Sequence, residues 1–317
     1  MTQSVLITGA AGFIGSSVAA RLARAGVRVT GLDNYCDFYD PAIKRARAER
    51  LAREHGVEIV EGDIRSRADV DRSFDAATPD GVIHIAAMAG VRPSIENPKL
   101  YTEVNLDGTV NMLDASVTAG VSKFLFASSS SVYGNNDKVP FSEEDPVDHP
   151  ISPYAATKRA GELICHTYTH LHALPVTCLR FFTVYGPGQR PDLAIGKFMR
   201  LIDEGKPVPM FGDGTTSRDY TYIDDIVDGV LAALERCAGF NIYNLGGSSP
   251  VTLRELIEAI GRAVGKTPRI EQLPMQPGDV ERTFADTSRS RRELEFESRV
   301  SLEEGLARQW ASVSAER

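Results

Sequence analysis

The chain has 317 residues, 42% of them hydrophobic and 25% charged, a size and composition suited to two intergrown globular domains. Its formal net charge of −8 argues against a nucleic-acid surface, although arginines and backbone N–H groups gathered locally can still hold an anion. No apolar run reaches the roughly 20 residues of a membrane helix; the stretch 82–91 comes nearest and contains His84.

In chain order, Val5-Leu6-Ile7 is predicted as a short buried strand followed by a glycine-rich turn. Ile14 to Ala25 has helical spacing and stops at Gly26. A second strand runs from Val27 to Leu32 and ends at Asp33, and a basic helix follows around residues 44–54. Glu58–Gly62 is a strand, Asp69–Ala77 a short helix, and Val82–Ala86 a fourth strand. Leu100–Ala119 is predicted as one long helix, Phe124–Ser128 as a strand, Tyr154–Thr169 as a second long helix, and Val176–Phe181 as a strand. This alternation predicts an α/β fold: a Rossmann-like, doubly wound parallel sheet covered on both faces, with a ligand crevice where the winding reverses. From Tyr185 onward glycines and prolines punctuate the pattern, which suggests a smaller, loop-rich C-terminal lobe for substrate. Ile223–Glu235 reads as a helix and Asn241–Leu245 as a strand returning to the first lobe. The expected division is residues 1–183 with 224–248 for the nucleotide-binding domain, and 184–223 with 249–317 for the second lobe. The start of the chain, where Met1 leads straight to an apolar strand without a basic segment, suggests a cytoplasmic protein.

Three motifs carry chemistry. The first, Thr8 to Gly15, places Gly9, Gly12 and Gly15 between a strand and a helix. That spacing allows a tight turn and lets backbone N–H groups, including those of Phe13 and Ile14, approach a pyrophosphate. Asp33 follows Gly15 by 18 positions, where a carboxylate can accept the adenosine ribose hydroxyls and repel a 2′-phosphate, which favours NAD over NADP. Asp63 and Ile64, after the third strand, suit the adenine amino group and ring. The second motif is Tyr154-Ala155-Ala156-Thr157-Lys158, an i,i+4 pair on one helix face. A free phenol has a pKa near 10, and a nearby ammonium and an oxidised nicotinamide are expected to lower it. The third is Ser128 to Gly134, a hydroxyl-rich run at the end of the fifth strand.

In this order and spacing the motifs resemble the extended short-chain dehydrogenase/reductase family of nucleotide-sugar epimerases and dehydratases. The similarity continues through His84-Ile85-Ala86-Ala87, Asn105 to Thr109, Gly212-Asp213-Gly214 and Arg218-Asp219-Tyr220. The resemblance implies Tyr154 as base, Lys158 as its electrostatic partner, and Ser129 as the catalytic hydroxyl. It also implies NAD contacts from Asn34, Ala86, Ala87 and Ala127, and a homodimer built on the two long helices. Members that eliminate water carry Asp-Glu after that hydroxyl, and the decarboxylases tend to carry Glu at the second position; here these are Ser130 and Ser131. Inversion at C4 of a UDP-sugar is therefore the expected reaction. The segment Arg180 to Asp192, with Thr183 where UDP-glucose epimerases usually have Asn, is similar to UDP-glucuronate 4-epimerases. Thr183, Ser129, Ser130 and Ser131 would offer donors to a sugar carboxylate. Arg218, Arg190 and Arg92 are candidates for the UDP pyrophosphate, Arg218 first, with Arg92 alternatively facing the sugar. Asp279 aligns with a uridine-ribose ligand, and Gln276 stands where several epimerases have Arg. Phe198 and Phe211 either pack near the uracil or belong to the core. UDP-glucose epimerisation, oxidative decarboxylation and a non-catalytic NAD(H) sensor are the alternatives, and the intact Ser129, Tyr154 and Lys158 set argues against the sensor. The four cysteines are scattered and suggest neither zinc nor disulfides, and His166 with His170 points to solvent rather than to a metal.

Overall fold

A computed structural model describes residues 2–275 and 280–315. The chain runs β1 (Ser4–Thr8), α1 (Phe13–Arg24), β2 (Arg28–Asp33), α2 (Pro41–His55), β3 (Glu58–Glu61), α3 (Arg67–Ala77), β4 (Gly81–His84), α4 (Val91–Glu96), α5 (Pro98–Thr102) and α6 (Gly108–Thr118). It continues through β5 (Lys123–Ser129), α7 (Pro153–His172) and β6 (Val176–Phe181). Then come β7 (Thr183–Tyr185), α8 (Ala194–Asp203), β8 (Val208–Phe211), β9 (Ser217–Tyr222), α9 (Ile223–Glu235), β10 (Phe240–Leu245), β11 (Pro250–Thr252), α10 (Leu253–Val264), β12 (Ile270–Leu273), α11 (Ser288–Leu294) and α12 (Leu302–Ala315).

Seven strands form one sheet in the order β10-β6-β5-β4-β1-β2-β3, with every neighbouring pair parallel. Strands of such a sheet are buried on both faces, and β1 illustrates this: Val5 and Ile7 join one core while Leu6 joins the other. One core lies under α3, α6 and α7, through Val70, Phe74, Met112, Leu113 and Cys165. The opposite core lies under α1 and α9 and runs without a break to α8, β8 and α10, where Phe198, Val208, Leu256 and Ile257 extend it. The winding reverses between β1 and β4, so the loops after these two strands form the crevice.

Two elements differ from the pattern in the sequence. The expected helix 100–119 is broken into α5 and α6 by a π-helical turn over Glu103–Asp107. Asn105 lies in that turn and bonds Met88 through both its carbonyl and its amide, which widens the helix locally. The chain after Tyr185 is also richer in helix than its glycines and prolines suggest. Helix α10 carries a complete capping box between Thr252 and Glu255 and ends at Gly265 in the left-handed conformation. Around α8, α10 and α12 sit a three-stranded sheet, β11-β9-β7, and a two-stranded pair, β12-β8.

Candidate active site

The site begins at the turn after β1. Gly9 has φ +69°, and Gly12 N donates to the Gly9 carbonyl at 3.0 Å. A Cβ on Gly15 would lie 2.1 Å from the same oxygen, so only glycine lets α1 start this close to the strand. A Cβ on Gly9 would meet Ala86 N at 3.0 Å, which sets the turn against the loop of Ala86 and Ala87. Gly12 caps α1 without a side-chain bond, so the first-turn N–H groups, among them those of Phe13 and Ile14, have no intrahelical acceptor. Asp33, buried at the end of β2, accepts from Ala11 N and Tyr35 N, both at 2.9 Å. Burial raises its pKa, against the pull of these bonds and of the Lys44 and Arg47 charges. Each carboxylate oxygen keeps a further lone pair for a ligand hydroxyl. A bare helix end, a glycine cradle that a Cβ would fill and an acceptor carboxylate together fit the pyrophosphate and ribose of a dinucleotide.

At the adenine end the acceptors are more committed. Asn34 donates to Asp63 at 3.0 Å, while Arg65 donates to it through N, Nε and Nη2 at 2.8, 3.1 and 2.8 Å. The Asp63 carboxylate is thereby held below its usual range even though burial works against this. Ile64 is buried against the start of α6, where a Cβ on Gly108 would stand 2.6 Å from it.

Helix α7, capped by Ser152 and opened by Pro153, presents Tyr154 and Lys158 to the end of β5. Buried Ser129, the last residue of that strand, accepts from Ser131 N at 3.2 Å, and its hydroxyl acts on the Tyr154 phenol to favour the ionised form. Ser130 and Ser131 open the 3-10 turn that follows. Lys158 Nζ donates to the Ala127 carbonyl at 2.7 Å and lies over the Phe126 ring at 5.1 Å. Burial pulls the Lys158 ammonium down to about 8. Burial raises the pKa of the Tyr154 phenol, and the Ser129 hydroxyl and the Arg190 charge oppose that shift. The ammonium is directed at the Ala127 carbonyl, and a dry site penalises a phenolate before any partner repays it.

Several further contacts complete this site. Thr109 Oγ1 donates to Asn105 O at 2.7 Å and so accepts from His84 Nε2–H at 3.0 Å, while Thr8 Oγ1, already accepting from Ile85 N and Ala86 N, donates to His84 Nδ1 at 2.7 Å. Burial, aided by the Lys158 charge, drives His84 down to about 3, so it is neutral with one assigned tautomer. Asn105 Nδ2 also donates to Thr157 Oγ1 at 3.0 Å, tying the π turn to α7. Behind the serine run, Ser128 donates to fully buried Glu162 at 2.6 Å, and Arg180 makes a two-bond fork to the same carboxylate at 2.8 and 2.9 Å. Arg180 also donates to Tyr133 at 2.9 Å, which in turn donates to Asn244 at 2.7 Å. The place of Glu162, two turns after Tyr154 on the same helix face, was the available signal; its partner on β6 was not.

The substrate candidates are spread along the same edge. Ser129 stands opposite Phe181 in the β5–β6 register, and Thr183 opens β7 two residues later. Arg190, over the Phe38 ring at 4.9 Å and paired with Asp192 at 3.0 Å, places its charge toward both Tyr154 and Tyr101. Arg92 on α4 lies over Phe211 at the end of β8, 5.3 Å from its centroid. Arg218 donates to Ser217 O at 2.9 Å beside the same β9 edge. Phe198, by contrast, is buried inside α8's core face. Gln276 and Asp279 lie outside the described residues. Among the described residues no three His, Cys, Asp or Glu side chains gather as a metal site, and no helix is long and apolar enough to cross a membrane.

Residues 5–246 match the model of the NAD dependent epimerase/dehydratase family. The chain belongs to that family. It is 43% identical to a probable UDP-glucuronate 4-epimerase of Rhizobium meliloti, covering 96% of this chain and 94% of that one. Among solved structures it is similar to the UDP-glucuronic acid 4-epimerase of Bacillus cereus, in complex with UDP-glucuronic acid and NAD. There the TM-score is 0.92 at 34% identity, over 99% of both chains. A Thermus thermophilus UDP-glucose 4-epimerase in complex with NAD gives a TM-score of 0.90 at 33% identity, again over 99% of both chains.

Proposed function

We propose that this protein is an NAD-dependent isomerase that inverts C4 of a UDP-sugar, converting UDP-glucuronate to UDP-galacturonate. The observation that carries the reading is the convergence of Tyr154 and Lys158, one helical turn apart on α7, with Ser129 at the end of β5, where Lys158 also bonds the strand. Relatives similar over nearly the whole chain bear the 4-epimerase name, one of them in complex with UDP-glucuronic acid and NAD. In this reading the turn of Gly9, Gly12 and Gly15, the N–H groups at Phe13 and Ile14, and Asp33 hold the dinucleotide, with Asn34, Asp63, Ile64, Ala86, Ala87 and Ala127 lining it. NAD, when bound, would supply the hydride acceptor and donor for C4 and a positive ring that favours a phenolate at Tyr154.

The chain's own residues handle the proton and the orientation. Tyr154 Oη takes the proton from the sugar O4 and returns it, with Ser129 Oγ sharing that oxygen. Lys158 supplies the positive charge that makes the ionised phenol affordable in a dry site. A carboxylate on C5 becomes β to the C4 ketone and would leave as carbon dioxide if the C5–C6 bond lined up with the carbonyl π system. Short donors at Ser130, Ser131 and Thr183 hold it out of that alignment, and neither serine has the carboxyl that a proton shuttle to C5 would require. Arg190 serves the sugar side, whereas Arg218 and Arg92, with Phe211, serve the UDP. A homodimer through α6 and α7 completes the proposal.

Incubation of the purified protein with UDP-glucuronate, followed by separation of the products, tests this. UDP-galacturonate with no net change in NAD is expected; a UDP-pentose and carbon dioxide would make it a decarboxylase. Turnover of UDP-glucose alone would shift the assignment toward the Thermus-like activity. Tyr154→Phe should keep NAD and lose about 10²–10⁴-fold in kcat.

A further inference from the structure

Residues 186–193, between β7 and α8, carry Arg190 and are pinned from two lobes. From α12, Gln309 accepts from Gly186 N at 3.0 Å and donates to Gln189 Oε1 at 2.9 Å. From α8, Arg200 donates to Pro191 O at 2.6 Å. These anchors belong to the second lobe. The opposite anchor comes from the nucleotide-binding side: Arg47, on α2, donates from Nη2 to Gly188 O at 2.5 Å and from Nη1 to Tyr39 Oη at 3.3 Å. Phe38, in the loop before α2, offers its ring face to the Arg190 guanidinium.

Arg47 is a buried cation that reaches a backbone carbonyl 141 positions away. Apolar contact would hold a loop at lower desolvation cost; what a planar guanidinium adds is direction, because its fork fixes the angle of the carbonyl it meets. Gly188 has φ +78°, so its carbonyl is turned by a conformation that favours glycine. A Cβ on Gly188 would lie 3.8 Å from Arg47 Nη2 and 3.9 Å from the Phe13 ring, which puts this contact at the first turn of α1, between the two ligand regions.

We propose that Arg47 is a positioning residue: by holding the Gly188 carbonyl, it sets the loop so that Arg190 faces the sugar beside Tyr154 and favours a sugar bearing an anionic group. The inference rests on the UDP-glucuronate reading above. Arg47 acts through the loop, and Phe38 supports the same guanidinium from its face.

The test uses the NAD-loaded protein and its variants Arg47→Gln, Arg47→Lys and Phe38→Leu. Calorimetry gives the affinity for UDP-glucuronate and, separately, for UDP, and the NAD bound per chain is measured after gel filtration. Arg47→Gln should bind UDP-glucuronate about tenfold more weakly and UDP unchanged, with NAD retained and Arg47→Lys lying between it and wild type. Phe38→Leu, at a half-buried position that tolerates the change, should move UDP-glucuronate affinity in the same direction by less. Unchanged UDP-glucuronate affinity, an equal loss for UDP, or loss of NAD would each overturn the proposal. If Arg47→Gln does not fold, Arg47→Lys and Phe38→Leu decide it on the same criteria. A wild type that does not turn UDP-glucuronate over overturns the functional reading itself, and this proposal with it.

Discussion

Gly15 sits where any side chain would collide with the turn, since its Cβ would stand 2.1 Å from the Gly9 oxygen. Gly15→Ala must therefore push α1 away from the strand and misdirect the first-turn N–H groups. The expected result is NAD binding weakened by about a hundredfold or more, ~3 kcal/mol, measured by titration. Asp219 behaves differently, because its environment is built from backbone. The carboxylate is fully buried, accepts from Gly247 N, Ser248 N and Ala285 N at 2.6, 3.0 and 2.9 Å, and is pushed up by burial to about 6. Its folded pKa thus lies above the unfolded one, so its contribution to stability is complete below about pH 4 and is lost as pH rises through 6. The melting advantage of wild type over Asp219→Asn should shrink between about pH 4 and about pH 7. An advantage that does not change with pH would place the titration elsewhere. The Arg218-Asp219-Tyr220 motif was legible in sequence, but the aspartate's task of joining β9 to two distant loops was not, since its partners are backbone N–H groups that no side-chain pattern marks.

Helix α7 gathers most of the chemistry on one face: Tyr154, Lys158 and Glu162 follow one another at four-residue steps. The first two were visible as a motif. Glu162 looks like an ordinary surface acid in the sequence, and only the register of β5 and β6 brings Ser128 and Arg180 onto it. Removing one member of a buried ion pair leaves the other uncompensated. Glu162→Ala should therefore cost about 3–5 kcal/mol, while Glu162→Leu combined with Arg180→Met should cost less than the sum of the two single changes. Equilibrium urea unfolding of wild type, Glu162→Ala, Glu162→Leu, Arg180→Met and the double variant checks this. The π turn at Glu103–Asp107 was hidden for a similar reason: helical spacing continues through it, and what widens it is Asn105 bonding to Met88 across the crevice.

For the whole molecule, the exposed surface of α7 points to the association proposed above. Leu163 and Leu171, eight residues apart on one side of the helix, are 52% and 69% exposed. Single exposed leucines are ordinary, but two on the helix that also carries the reacting groups fit a helix-to-helix contact. Glu at both positions should convert the protein from dimer to monomer in light scattering with NAD content preserved; a wild-type monomer would remove the homodimer from the proposal. One apolar core runs from Val5 and Ile7 through Ile195 and Phe198 to Leu256, so a change deep at either end is felt at the other.

What the sequence by itself determined is local or periodic. Alternating strands and helices dictated the parallel sheet, glycine spacing dictated the turn, and four-residue spacing put Tyr154 and Lys158 on one face, because each follows from backbone geometry over a few residues. Only the tertiary structure decided what those groups meet. It turned Lys158 toward Ala127, raised the Tyr154 phenol through burial, filled Asp63 with Arg65, and brought Arg47 across to Gly188. Those outcomes depend on which strands lie side by side and how much water they exclude, and neither quantity is written in any short stretch of chain.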